Sequence, residues 1–301
     1  MYKEKSIYNS RKKLLNFLEV RENFLYSDFS KKYFLKELPK KNGGLRPIKP
    51  PVKKLKLIQR KILDVILVKQ EVLPSVYGLD KSKGILDNAR RHQVNSDYYL
   101  VNLDIEQFFP NVKYKTVKKI FRKLGFSKDC ANLLTKICTI DKSIPQGSPT
   151  SPYLSALALE KLDKNIFNFC KKNKFIFTRY FDDITISGEI IREKNIEYIE
   201  NQIKKAGYIS HPDKKNWFKP KEQKIINNVI VFSDFFDVTD SYKEKIRKSF
   251  LVYRENRNIR AWRVFIGNMA FYIYVNKDKA LKLFKDITGV SFKDRNLLVA
   301  Y

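Results

Sequence analysis

Phe175-Ile176-Phe177-Thr178 and Ile184-Thr185-Ile186-Ser187 are two arms of mainly apolar and β-branched residues, and Tyr180-Phe181-Asp182-Asp183 between them fits a tight turn. The pattern predicts a β-hairpin, and a hairpin this apolar requires further strands or helices to bury it. Its tip constrains the fold further, because two adjacent carboxylates sit where the arms meet. A second carboxylate of the same kind lies upstream: Tyr98-Tyr99-Leu100-Val101-Asn102-Leu103 reads as a buried strand and ends at Asp104. Carboxylates buried beside one another repel and are raised in pKa unless divalent cations supply the counter-charge. Two Mg²⁺ ions about 3.5–4 Å apart would satisfy them and build a site for in-line phosphoryl transfer. Taken alone, an Asp-Asp dipeptide is more simply a solvated turn.

The rest of the chain alternates helical and extended patterns without repeats or a Gly/Ser linker. Leu14, Leu15, Phe17 and Leu18, then Tyr33, Phe34 and Leu38, suggest short basic helices. Pro39 to Pro51 breaks helix, with Leu45-Arg46-Pro47-Ile48 as a strand. Leu55, Ile58, Ile62, Leu63 and Ile66 recur at helical spacing, with Lys53, Lys54, Lys56, Arg60 and Lys61 on the other face. Helices are expected over 112–124, 130–139, 194–206 and, as one long element, 152–171. Two short strands are expected around 225–236, and the last 60 or so residues read as basic helices. The mixture of hairpins and crossovers predicts an α+β chain.

Charge narrows the partners. Lys and Arg number 61 against 32 Asp and Glu, a net +29, spread through the chain among 17 Tyr and 22 Phe. A polyanion is the expected partner, and nucleic acid fits better than a membrane surface; a solvated basic surface is the plain alternative. Cys130, Cys138 and Cys170 lack metal-pair spacing and read as core residues in a reducing compartment. Met1-Tyr2-Lys3-Glu4-Lys5 opens no apolar leader and no run approaches 18 apolar residues, so a cytoplasmic protein with no membrane partner is expected.

Three segments in order carry a family resemblance. Asp104-Ile105-Glu106-Gln107-Phe108-Phe109 resembles the first catalytic aspartate motif of the reverse transcriptases. Ile144-Pro145-Gln146-Gly147-Ser148-Pro149-Thr150-Ser151-Pro152 resembles their template and nucleotide loop, and Tyr180-Phe181-Asp182-Asp183 their Tyr-x-Asp-Asp box. The likeness runs from about Leu45 to Val231. Asn88-Ala89-Arg90-Arg91-His92 is similar to the Asn-Ala-x-x-His signature of bacterial retron reverse transcriptases. Two departures stand out: Ile226-Asn227-Asn228 lies where retron enzymes usually carry Val-Thr-Gly, and His211 where relatives commonly have Asn, with Lys214 retained.

The resemblance implies a right-hand polymerase fold, with N-terminal helices and fingers over 1–95, a palm over 96–235 carrying the catalytic aspartates, and a helical basic thumb over 236–301. It implies an RNA-directed DNA polymerase that binds two Mg²⁺ ions, with Mn²⁺ as a substitute, through Asp104, Asp182, Asp183 and the Ile105 carbonyl. Arg46 would fork onto the triphosphate, Gln146 and Gly147 would meet the incoming nucleotide, and Lys214 would serve the departing pyrophosphate. Phe109, five residues after Asp104, would be the steric gate against the ribose 2′-OH. Asn88 and His92 would contact RNA, as would Lys243, Lys245, Arg247, Lys248 and Arg254 of the thumb, whose Tyr242, Ile246, Phe250 and Tyr253 read as a packing stripe. About 70 residues follow Val231, enough for a thumb and too few for an added nuclease domain. The implied partners are deoxynucleoside triphosphates, a structured noncoding RNA that is template and 2′-OH primer, its cDNA, and an effector protein encoded nearby in anti-phage defence. Two alternatives remain open: another prokaryotic reverse transcriptase (group II intron, diversity-generating or abortive-infection type), and an RNA-binding scaffold with a vestigial polymerase.

Overall fold

The computed structural model describes residues 8–26, 28–39, 44–80, 82–93 and 97–290. Met1–Lys5 and the expected boundary at 95/96 lie outside the described residues.

A five-stranded sheet forms the centre. In chain order its strands are β3 (Val76–Tyr77), β4 (Tyr99–Asp104), β5 (Ile176–Tyr180), β6 (Asp183–Gly188) and β7 (Asn216–Phe218), and across the sheet they run β3-β5-β6-β4-β7. β3 is parallel to β5 and the other pairs are antiparallel. The β5–β6 register pairs Phe177 with Ile186 and Arg179 with Ile184, and the β4–β6 register adds Val101 and Leu103 to those rows. Side chains alternate along a strand, so these residues share one face. Val101, Leu103, Phe177, Ile184 and Ile186 are buried in one large core, each worth about 1.5–3 kcal/mol on full burial.

That core is completed by α1 (Arg11–Leu18), α3 (Lys53–Ile62), α6 (Tyr114–Lys123), α7 (Lys128–Cys138), α8 (Ser151–Ala158), α9 (Glu160–Lys172) and α10 (Glu193–Lys205). The apolar stripe of α3 buries Leu55, Ile58 and Ile62, as its spacing requires. Cys130 and Cys138 on α7 and Cys170 on α9 are buried free thiols. The short helices α2 (Glu22–Tyr26) and α5 (Phe108–Asn111) and the hairpin of β1 (Lys36–Pro39) with β2 (Leu45–Ile48) lie between these elements in the chain.

The opposite face of the sheet is polar. Thr178, Thr185 and Asn102 form one row across β5, β6 and β4, and Tyr180, Asp183 and Asp104 form the row at the end. Over this face lie α4 (Ile85–Arg90) and a small antiparallel sheet of β8 (Lys224–Ile226), β9 (Val229–Val231) and β10 (Phe236–Val238). These share a second core with α11 (Asp240–Asn256), α12 (Ile259–Val275) and α13 (Lys277–Thr288). Side-chain caps start all three helices: Thr239 accepts from Tyr242 N, Asn258 from Ala261 N and Asn276 from Lys279 N. Leu86 and Ala89 of α4 belong to this second core although they precede β4 in the chain. The architecture is α+β, with helices packed against both faces of the central sheet.

Three local expectations differ. Tyr33–Leu38 is not a helix: a 3₁₀ turn at Ser30–Lys32 leads into β1, whose pairing with β2 replaces helical hydrogen bonds. The element expected over 152–171 is broken at Leu159 (φ −95°, ψ 3°) into α8 and α9. Three strands, not two, fill 224–238. Among the described residues no helix is long and apolar enough to cross a membrane.

Candidate active site

Strand register brings the three aspartates together. Asp104 ends β4 directly opposite Asp183, which begins β6, and Asp183 in turn faces Tyr180 across the hairpin. The loop is therefore only Phe181 and Asp182. Main-chain bonds tie the two segments: Ile105 N donates to Asp182 O at 2.9 Å, and His211 N donates to Asp104 O at 2.8 Å. Phe181 is held at φ +54°, a region that side chains disfavour. Arg179 restrains it by donating from Nη1 to Phe181 O at 2.6 Å, while Asp163 of α9 grips the guanidinium at 2.7 and 2.5 Å. Gly78, just past β3, is needed at this point: a Cβ there would stand 2.9 Å from the Phe181 ring and 3.0 Å from that of Tyr180.

The electrostatics are those of crowded carboxylates. Burial, then the charges of Asp182 and Asp104, push the Asp183 carboxyl up to about 7, against the pull of Lys214 and a hydrogen bond from Asn227. Burial and Asp104 raise Asp182 as well, opposed by Lys214 and Arg46. Lys214 Nζ donates to both Asp104 oxygens at 2.9 Å. Among the described residues no three carboxylate, His or Cys side chains are gathered as a ready-made metal cage. The donor set nevertheless fits a hard divalent cation: all-oxygen ligands, partly buried, whose mutual repulsion raises their proton affinity until positive charge arrives.

The residues expected around the aspartates are placed as follows. Arg46 lies on β2, exposed, with its charge felt at Asp182. Phe109 is half-buried on α5, its ring 5.5 Å from Phe108 and 6.3 Å from Phe181. Gln146 O accepts from Lys49 N at 2.8 Å, which ties its loop to the strand carrying Arg46. Gly147 adopts φ +103°, and a Cβ there would lie 3.2 Å from Pro50 N, so only glycine suits both the turn and the approach. Ser148 and Ser151 brace the loop through Gln59 Oε1 and Pro145 O.

In the C-terminal helices the aromatic stripe packs inward, Tyr242 on Phe271, Phe250 on Phe265 and Tyr253 on Trp262. Lys245, Arg247, Lys248 and Arg254 are exposed on α11. Lys243 differs: it is half-buried and bonded to Asp237 and Asp240, so its charge is already engaged.

Asn88 and His92 require a correction. Both were expected to touch RNA, yet they are 0% and 1% exposed. His92 lies just past α4 against the polar face of the sheet, with Nδ1 2.8 Å from Ser187 Oγ and Nε2 2.7 Å from Thr178 Oγ1. Asn88 donates to Asn227 Oδ1 at 3.1 Å. Both side chains are therefore engaged inside the protein, His92 with the central sheet and Asn88 with the turn between β8 and β9. Burial, then the charge of Arg91, depresses His92 to about 3. A neutral buried imidazole contributes stability above its unfolded pKa of about 6.5, and that stability is lost as pH falls towards 3, amounting to about 2 kcal/mol between pH 6.5 and 5. The melting temperature of the wild type should therefore drop more between pH 7.5 and 5 than that of His92→Gln. Parallel curves would contradict a neutral, buried His92.

Sequence reasoning missed Arg179, Asp163 and Gly78, and noticed Asn227 only as a departure from a triplet. The signal for Arg179 was a charge inside an otherwise apolar arm, which demands a buried partner.

Residues 38–231 match the family described as “Reverse transcriptase (RNA-dependent DNA polymerase)”. The retron Ec86 reverse transcriptase of Escherichia coli is 29% identical over 247 residues, covering 80% of this chain and 77% of that protein. The retron Ec83 reverse transcriptase of Escherichia coli is 32% identical over 167 residues, covering 52% of each, so the match spans about half of that relative. Among solved structures, telomerase from Candida albicans in complex with a TWJ fragment of telomeric RNA shares the fold, with a TM-score of 0.50 and 11% identity over 88% of this chain and 58% of that one. The family match takes in the aspartates that the strand register gathers, and the chain belongs to the reverse transcriptases, RNA-directed DNA polymerases, of the bacterial retron type.

Proposed function

We propose that this enzyme copies a structured noncoding RNA into DNA by two-metal nucleotidyl transfer, starting from an RNA 2′-OH and leaving a branched RNA–DNA hybrid used with an effector protein in anti-phage defence. The observation that carries the reading is Asp104 opposite Asp183 at the end of paired strands, with Asp182 at the hairpin tip. Asp104, Asp182, Asp183 and the Ile105 carbonyl would hold two Mg²⁺ ions, or Mn²⁺ in their place. Bound there, the ions would polarise the attacking hydroxyl and offset charge on the departing pyrophosphate.

The chain's own residues supply the rest. Arg46, fixed to the Gln146 loop through Lys49, would take the triphosphate in a fork of donors. Gln146 and Gly147 would line the nucleotide, on a loop whose turn at Gly147 packs against the Pro50 backbone just after the strand of Arg46. The Phe109 ring, set against Phe181 beside the catalytic turn, would occupy the space that a ribose 2′-OH needs. Lys214, already at Asp104, would neutralise the leaving pyrophosphate or give it a proton. Lys245, Arg247, Lys248 and Arg254 would hold the duplex backbone.

Sequencing the nucleic acid that copurifies with the full chain tests the reading. A hybrid in which DNA is joined to an internal RNA 2′-OH is expected. Unbranched cDNA would redirect the assignment to another prokaryotic reverse transcriptase, and RNA without DNA to a scaffold.

A further inference from the structure

The polar layer under the sheet does more than fill space. β8 and β9 are joined by two residues only, Asn227 and Asn228, because Ile226 pairs with Val229. Both loop residues have positive φ, +49° and +70°. Such a turn matches the twist of a tight hairpin, and asparagine is among the few side chains that tolerate it. The turn delivers the Asn227 amide to the start of β6. Its Nδ2 donates to Asp183 Oδ2 at 2.6 Å, while its Oδ1 accepts from Asn88 Nδ2 at 3.1 Å.

The direction of this chain is set from the catalytic end. An ionised carboxylate only accepts, so Asn227 must turn its NH₂ towards Asp183 and its oxygen towards Asn88. Asn88 must then present its own NH₂. The consequence is visible: Asn88 Oδ1 is buried without a hydrogen-bond partner, an arrangement that costs about 1–3 kcal/mol. Asn88 is in turn carried on α4, which His92 anchors to Thr178 and Ser187 of the same sheet. One oxygen of Asp183 is thereby fixed by a short, charge-assisted bond, and the other is left for a ligand.

We infer that Asn227 is a positioning residue for Asp183, and that Asn88 holds Asn227 in that orientation. The inference rests on the reading of Asp183 as a ligand of the catalytic ions. Removing a hydrogen-bond partner of a metal-binding carboxylate typically costs 10- to 100-fold in metal affinity or activity, because the ligand loses its orientation.

Two substitutions separate this from a structural role. Asn227→Gly accepts the φ of the turn and deletes the amide; Asn227→Asp keeps the shape and replaces the donor with an acceptor. With the full chain, kcat and KM for deoxynucleotide are measured on an annealed primer in Mg²⁺, Mn²⁺ binding by electron paramagnetic resonance, and folding by thermal melting. Asn227→Gly should lower kcat about 10-fold and weaken Mn²⁺ binding by about the same factor, with KM changed less than about twofold. Asn227→Asp should lower kcat at least as far, and it decides the matter if Asn227→Gly melts below the assay temperature. Asn88→Ala should lower kcat in the wild type and add nothing in the Asn227→Gly background, since both act through one bond.

Wild-type kcat and Mn²⁺ affinity in Asn227→Gly would overturn the inference, as would a raised KM at unchanged kcat or an equal loss from Asn88→Ala in both backgrounds. Asp183→Asn is run in parallel. If it too keeps Mn²⁺ affinity and kcat, the metal-ligand reading itself has failed; if it loses both while Asn227→Gly loses neither, only the positioning role has.

Discussion

Asp183→Asn is expected to cut deoxynucleotide incorporation by about 1,000-fold or more, the equivalent of about 4 kcal/mol of transition-state stabilisation. The same substitution should make the metal-free protein more stable above neutral pH. The two effects have one source. Burial and the neighbouring Asp182 and Asp104 hold the Asp183 carboxyl up at about 7, well above an unfolded value of about 3.9. A carboxyl whose folded pKa is raised contributes stability below its unfolded pKa, and that contribution is lost as pH rises through the folded value. At pH 8 the ionised group therefore works against the fold by about 2 kcal/mol once partial solvent access is allowed for. Asparagine removes that charge and still offers an oxygen to the Asn227 amide. Primer extension with Mg²⁺ and a melting curve in chelator at pH 8 measure both quantities. Near wild-type extension would remove Asp183 from the chemistry, and a lower melting temperature would mean that the carboxylate serves the fold.

The hairpin, the strand that ends in Asp104 and the faces of the long helices were legible because each depends on local pattern. Alternation within β5 and β6 and the apolar stripe of α3 survive in any tertiary context that buries one face. Segment 33–38 was not legible. Tyr33, Phe34 and Leu38 have helical spacing, but Phe34, Leu35 and Leu38 are exposed and the backbone of 36–39 is satisfied by β2. Pairing between segments decided the outcome there, and periodicity does not report it. Asn88 and His92 failed for a different reason. Polar residue types read as surface by default, and their burial follows from a register that puts Thr178 and Ser187 on the face beneath α4. Asn227 shows the same limit: a departure from a family triplet acquires meaning only when β8 and β9 bring it to Asp183.

The largest expected effect on stability lies behind the catalytic turn, at Arg179 and Asp163. Both are 1% exposed, joined by two bonds of 2.7 and 2.5 Å, and Nη1 of the guanidinium donates to Phe181 O. Asp163→Leu leaves a buried guanidinium without its counter-ion and should cost about 3–5 kcal/mol in urea unfolding at 25 °C. Arg179→Met strands the carboxylate and should cost a similar amount. The double substitution Asp163→Leu with Arg179→Met buries no charge, and its unfolding free energy should return to within about 1–2 kcal/mol of the wild type. Incorporation should not return with it, because the bond from Arg179 to Phe181 O, which restrains the left-handed turn carrying the aspartates, is gone. A single substitution that costs less than about 1 kcal/mol would mean that the pair is solvated and weak. A double variant as active as the wild type would mean that the turn holds its shape without Arg179, leaving the ion pair a part of the core alone.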